Sequence, residues 1–212
     1  MHVIVITNGD ITNIKIFNKM IQESDYVICA DGAARYLSEI DIVPDMLVGD
    51  FDSIDKEQID WMVARGVNLS RFPREKDKTD TELALDYAIE MSPSNITIIG
   101  AIGSRVDHSL GNILLLNRML DRNILGRIVG EDLEIYLIND SLYLKGEYGD
   151  IISLIPLANR VEGVTINDVL YPLNNATMSL GSTWGISNEF MDNPDVKISL
   201  TEGLLLVVKT RE

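Results

Sequence analysis

Asp50 and Asp52 close an apolar run at residues 46–49 and are separated by a single residue. In extended backbone, residues two apart point to one side, so the spacing predicts two carboxylates facing the same way at the end of a strand. Hard oxygen donors of this kind are what magnesium takes from a protein, with water and phosphate oxygens filling its other positions. Other acids follow apolar runs in the same manner: Asp10 after 3–6, Asp31 after 26–30, and Asp107 in the loop after 96–99. If these runs are strands of one parallel sheet, their carboxyl ends share an edge where ligands bind, and acids distant in sequence meet there. Aspartates scattered over the surface of an acidic chain are the competing account, strongest for Asp10.

The cations are localised. Residues 71–82 hold four of the 18 basic residues, Arg71, Arg74, Lys76 and Lys78, and against an acidic background such an arm suits a phosphate chain. Thr79 and Glu82 have capping-box spacing ahead of Leu83, Ala84, Tyr87 and Ala88, so a helix is expected to begin at Thr79. Asp80 then sits in its first turn and Lys78 just before it, at a helix end whose free amides favour anions. A helix cap beside a solvated charge run is the plainer alternative. Arg105 and His108 fall in the loop before a helix expected from about Ser109. Arg105 suits a phosphate fork, whereas a single His108 without Cys or His companions is weak ground for zinc, and His2 reads as structural or surface.

Neither G-x-G-x-x-G nor G-x-x-x-x-G-K is present, and the isolated histidines and scattered serines offer no nucleophilic triad. Aspartates with a few cations suggest metal-assisted phosphoryl transfer, in which positioning and charge neutralisation carry most of the acceleration. Near the carboxyl end, residues 181–189 place Trp184 between glycines and beside Ser187 and Asn188. An aromatic plane with polar neighbours can stack a flat heterocycle and bond its edge, although a tryptophan is as readily core. Trp61, in an amphipathic segment, reads as packing.

Two kinds of element position these groups. Up to about residue 120, β-rich runs (3–6, 26–30, 46–48, 96–99) alternate with helix-like segments (14–22, 33–40, 56–64, 110–120), the pattern of a parallel sheet covered on both faces. Beyond about residue 127, short strand candidates at 134–138, 141–144, 150–156, 161–166, 177–180, 197–200 and 204–209 alternate with turn residues, which argues for an antiparallel sandwich or barrel. The fold class expected is α/β: an open, Rossmann-like parallel-sheet domain over 1–126, followed by an antiparallel β-sandwich domain over 127–212.

With 212 residues and 46% hydrophobic composition the chain can bury a substantial core. Eighteen basic against 33 acidic residues leave a formal charge of −15, which repels nucleic-acid backbones and anionic membrane surfaces. The one cysteine, Cys29, lies in an apolar run and reads as a buried small hydrophobe. With no leader-like start and no long apolar stretch, the expected setting is cytoplasmic, without a membrane or nucleic-acid partner.

Taken in order, Ala30-Asp31-Gly32-Ala33-Ala34, residues 44–53, Lys78-Thr79-Asp80-Thr81-Glu82, residues 103–108 and Trp184-Gly185-Ile186-Ser187-Asn188 resemble the thiamine pyrophosphokinase (thiamine diphosphokinase) family over nearly the whole chain. Gly32-Ala33, where the family commonly has Gly-Gly, is a small departure. The resemblance implies an α/β nucleotide-handling domain followed by a β-sandwich, in a homodimer with active sites at the subunit interface. It implies magnesium-dependent transfer of a diphosphoryl group from ATP to thiamine, giving AMP and thiamine diphosphate. It also implies Asp50, Asp52 and Asp80 around magnesium and the phosphates, with Asp31 and Asp107 nearby. Arg105, Lys78 and Asn112 become candidates for phosphate or nucleotide contacts, and Trp184, Ser187 and Asn188 for the thiamine side. The proton acceptor is left open between Asp80 and Asp107. Ordinary γ-phosphoryl transfer, a non-catalytic nucleotide or thiamine binder, and a structural domain are the alternatives.

Overall fold

The computed structural model describes residues 1–212 apart from Ser53, Lys76, Pro194 and Glu212. Ser53 of the 44–53 motif and Lys76 of the basic arm therefore lie outside the described residues. The chain divides into two compact units, Met1–Glu131 and Asp132–Glu212. The division expected between 126 and 127 falls inside a strand of the first unit.

That unit is built on six parallel strands: β1 (His2–Ile6), β2 (Tyr26–Ala30), β3 (Met46–Gly49), β4 (Asn68–Arg71), β5 (Asn95–Ile99) and β6 (Leu125–Val129). Their order is β6-β5-β1-β2-β3-β4, every pairing parallel. Val3, Ile4, Val5 and Ile6 are all fully buried, as strands covered on both faces must be. The helices are α1 (Asn18–Gln22), α2 (Ala34–Glu39), α3 (Lys56–Ala64), α4 (Asp80–Glu90), α5 (Val106–Leu114) and α6 (Leu116–Leu120). β4 and β6 were not expected. β4 reads Asn-Leu-Ser-Arg and is largely exposed, so it carries no apolar run to reveal it.

Cys29 is buried in β2, and burial pushes its thiol well above the usual range. Trp61 packs half-buried on the core, with the Arg65 guanidinium stacked 4.0 Å from its ring centre. Among the described residues no helix is long and apolar enough to cross a membrane.

The second unit is antiparallel: β7 (Leu133–Ile138), β8 (Ser141–Lys145), β9 (Ile151–Pro156), β10 (Arg160–Ile166), β11 (Leu173–Ser179), β12 (Asn188–Glu189), β13 (Asp195–Ser199) and β14 (Leu205–Thr210). One layer runs β12-β9-β14-β7 and the other β11-β10-β13-β8. Alternation in β8 and β13 turns Leu142, Leu144, Val196 and Ile198 inward, where they join Leu154, Leu205 and Val207 in one core. The sandwich expected of this half is thus present.

Candidate active site

In the parallel sheet the chain steps outward from β1 through β2 and β3 to β4, then crosses to β5 on the other side of β1. The switch point lies between β1 and β5, where the two following loops diverge and leave a crevice. A cavity of about 490 Å³ opens there, walled by the loops after β1, β2, β3 and β5 and by the start of α4.

The two switch-point loops interlock. Gly9 N–H donates to the Gly100 carbonyl (2.8 Å) and Asp10 N–H to that of Ile102 (3.0 Å). A Cβ on Gly9 would stand 2.2 Å from the Gly100 oxygen, so glycine is required there by the close approach. Asp10, which lines the cavity, accepts the Ser104 N–H at 2.6 Å; its role is to tie one loop to the other.

Two braces that sequence reading missed hold the β1 loop from outside. The Tyr36 hydroxyl donates to the Gly9 carbonyl (2.7 Å). Glu131 accepts from Thr12 N–H (2.7 Å), Thr12 Oγ1–H (2.5 Å) and Asn13 N–H (2.8 Å), and the Thr12 hydroxyl and these amides hold its carboxyl below the usual range. Both residues are far in sequence from what they hold, and no local motif signals them.

Asp31, Asp50 and Asp80 line the cavity. Asp31 sits at φ +40° and accepts the Phe51 N–H at 3.1 Å. Burial, then the charges of Asp50 and Asp80, push its carboxyl above its ordinary value, so the three acids share one electrostatic neighbourhood.

The backbone that joins Asp50 to Asp52 is not extended. β3 ends at Gly49, and Phe51 adopts φ +65°, a left-handed conformation that costs a non-glycine residue on the order of 1 kcal/mol. The cost is offset by burial of the Phe51 ring in the core, where it is 5% exposed. The Asp52 N–H folds back onto Asp50 Oδ1 (2.9 Å). Asp50 therefore lines the main cavity, while Asp52 lines a neighbouring one that it shares with Asp50, Arg71 and Arg74. Among the described residues no group of three His, Cys, Asp or Glu side chains stands close enough to hold a metal ion by itself.

Thr79 caps α4, its hydroxyl accepting the Glu82 N–H at 3.1 Å, a contact worth about 1 kcal/mol. Asp80 thereby stands in the first turn, as expected. Lys78 lines the cavity beside it, but its Nζ pairs with Asp86 (2.6 Å) and more loosely with Glu82 (3.8 Å). Arg118 bridges the same two acids.

Helix α5 begins at Val106, three residues earlier than expected, so Asp107 and His108 are helical. Asp107 does not line the cavity; its carboxylate pairs with Arg105 at 2.6 Å on the surface, and Arg105 holds it below the usual carboxylate range. Arg105 and His108 do line the cavity. Asn112, also on the cavity wall, is buried and donates to the Ala101 carbonyl (2.8 Å), bracing the β5 loop.

In the second unit Trp184 is 61% exposed, near Ile186 and Leu180, which are also exposed. Ser187 adopts φ +60° and donates its N–H to Ser153 Oγ (3.1 Å). Asn188 is buried, and both ends of its amide bond the Tyr171 backbone (2.9 and 2.7 Å). Trp184 and Ser187 are thus open to a ligand, whereas Asn188 holds the strand end that carries them.

A crevice at the switch point of a parallel sheet, with carboxylates, cations and a helix amino terminus around it, is an arrangement suited to an α/β transferase that handles phosphate esters. The family model described as thiamin pyrophosphokinase, catalytic domain, matches residues 17–126, and that for its vitamin B1 binding domain matches residues 139–205. Thiamine pyrophosphokinase of Bacillus subtilis (strain 168) is 35% identical over 187 residues, 87% of each chain. A crystal structure of the Bacillus subtilis protein superposes with a TM-score of 0.90 at 30% identity, covering all of both chains. One of a family protein from Enterococcus faecalis superposes with a TM-score of 0.85 at 27% identity, again over all of both. The chain belongs to the thiamine pyrophosphokinase family and is an enzyme of that family.

Proposed function

We propose that the protein transfers the terminal diphosphoryl group of ATP to the hydroxyl of thiamine, with magnesium, releasing AMP and thiamine diphosphate. The observation that carries this reading is the switch-point cavity, which gathers Asp31, Asp50 and Asp80 with Arg74, Lys78 and Arg105 in one place. Nucleotide phosphates bind at such a crevice, and the cations there match a polyphosphate chain.

The donor set fits magnesium. It is composed of oxygens, and the upward push on Asp31 from Asp50 and Asp80 is the crowding of like charge that a divalent cation relieves. Magnesium needs only one or two carboxylates when phosphates complete its shell, so Asp50 and Asp80 suffice, with Asp52 adjoining. When bound, it neutralises charge on the phosphates during transfer.

In the reaction the thiamine hydroxyl oxygen forms a bond to the β-phosphorus of ATP. The bond from that phosphorus to the α,β-bridging oxygen breaks, and AMP leaves with the electron pair. The hydroxyl proton goes to a carboxylate on the cavity wall, a role open to Asp80. Asp107, outside the cavity and paired with Arg105, is unsuited to it. Arg105 and Lys78 exchange their carboxylate partners for phosphate oxygens, and Asn112 keeps the β5 loop in place. Trp184 and Ser187 supply the thiamine side in a cytoplasmic homodimer, with the thiazolium cation drawn by the acidic protein.

The test is to incubate the protein with Mg-ATP and thiamine and separate the products, with magnesium withheld in parallel. AMP and thiamine diphosphate in equal amounts, only with magnesium, are expected. ADP with thiamine monophosphate would replace the proposal by γ-phosphoryl transfer.

A further inference from the structure

Among the described residues three Lys and Arg side chains line the switch-point cavity: Arg74, Lys78 and Arg105. Two are already neutralised, Lys78 by Asp86 at 2.6 Å and Arg105 by Asp107 at 2.6 Å. Among the described residues Arg74 has no ion pair or hydrogen bond. It is also the cation whose position is shared: Arg74 and Asp50 line both the main cavity and the neighbouring one of about 510 Å³ that contains Asp52 and Arg71. A ligand that occupies the main cavity and extends into the one containing Asp52 meets Arg74 and Asp50 in both.

We infer that Arg74 binds the diphosphoryl group that is transferred, the β- and γ-phosphates, and not the adenylate that departs. This rests on the proposed reaction. An arginine presents a fork of donors matched to two oxygens of a phosphate, and its full charge is available here without breaking an existing pair. Asp50 lines both cavities with Arg74, and the amino-terminal turn of α4, at Thr79, Asp80 and Thr81, lines the main one. Asp50 and Asp80 would hold magnesium there, and it would neutralise charge on the distal phosphates of a nucleotide. The nucleoside end is then directed to the interlocked β1 and β5 loops. Arg74 acts on the part of ATP that AMP lacks, which makes it a determinant of triphosphate over monophosphate recognition.

Calorimetric titration of the Arg74→Gln variant with Mg-ATP, inorganic diphosphate and AMP tests this without relying on turnover. A hydrogen-bonded charge contact corresponds to roughly tenfold or more in affinity. The expected result is loss of that size for ATP and for diphosphate, no change for AMP, and an unfolding temperature equal to wild type. Equal weakening of ATP and AMP, or no weakening of either, overturns the inference. Wild-type product analysis stands apart from these titrations: failure to form thiamine diphosphate sinks the proposed reaction, whereas a normal wild-type reaction with unaltered ATP binding by the variant sinks only the role of Arg74.

Discussion

Asp52 and Asp107 are both carboxylates of the family resemblance, and the structure gives them different surroundings. Asp52 adjoins Asp50 across a left-handed Phe51 and lines the cavity that Arg74 also reaches. Asp107 is tied to Arg105 outside the main cavity. Replacement of Asp52 by alanine is expected to lower kcat at saturating substrates by at least about tenfold, or 1.4 kcal/mol of transition-state stabilisation, while leaving the unfolding temperature close to wild type. Unchanged turnover would remove Asp52 from the mechanism.

This contrast also marks what could be read from residues alone. The i, i+2 spacing of Asp50 and Asp52 singled out this segment, but it assumed an extended backbone that the left-handed Phe51 does not have. The rule of alternating faces requires extended backbone, and burial of Phe51 overrode it. Asn188 shows the same limit: its type suited a ligand contact, but Tyr171, seventeen positions away, takes both ends of its amide.

At the scale of elements, the strands and helices with strong apolar patterns were legible, as was the Thr79 cap of α4. Strand β4 was not, because an exposed edge strand has little apolar content to betray it. Helix α5 began earlier than expected because Arg105 at its amino-terminal cap offers no side-chain capping bond to mark the start. Least legible was the bracing of the β1 loop, since Glu131 and Thr12 stand 119 positions apart.

That brace has a pH dependence whose sign follows from its bonds. The folded-state carboxyl of Glu131 is held below its ordinary value, so its contribution is fully present above the unfolded value, about 4.3. It is lost as the pH falls through the lower folded one. Glu131→Gln should therefore unfold at a lower temperature than wild type at neutral pH, and the gap should close on acidification through the carboxylate range. A gap that widens in acid would contradict the assignment. The same variant should raise KM for ATP more than it lowers kcat, because the loop it frees walls the cavity.

Over the whole molecule the dominant quantity is the formal charge of −15. It excludes little about the fold, but it sets the long-range field that an approaching substrate meets. A fixed thiazolium cation is attracted by that field, and salt shortens its reach from about 30 Å at 0.01 M to about 8 Å at 0.15 M. The association rate of thiamine, followed by stopped flow, is expected to fall as salt rises over this range. A rate independent of salt would mean that the charge plays no part in capture.

Cys29 gives the chain a property unconnected with phosphate chemistry. The sole thiol lies in the second strand of the parallel sheet, with no exposed surface, and its ionisation is suppressed by burial. Thiolate is the form that reacts with disulfides and alkylating reagents, so the folded protein is chemically silent towards them. Modification requires the sheet interior to open, and the labelling rate becomes a native clock for that opening. An introduced surface cysteine would consequently be the one site to take a dye or cross-linker, without any need to remove the natural thiol first.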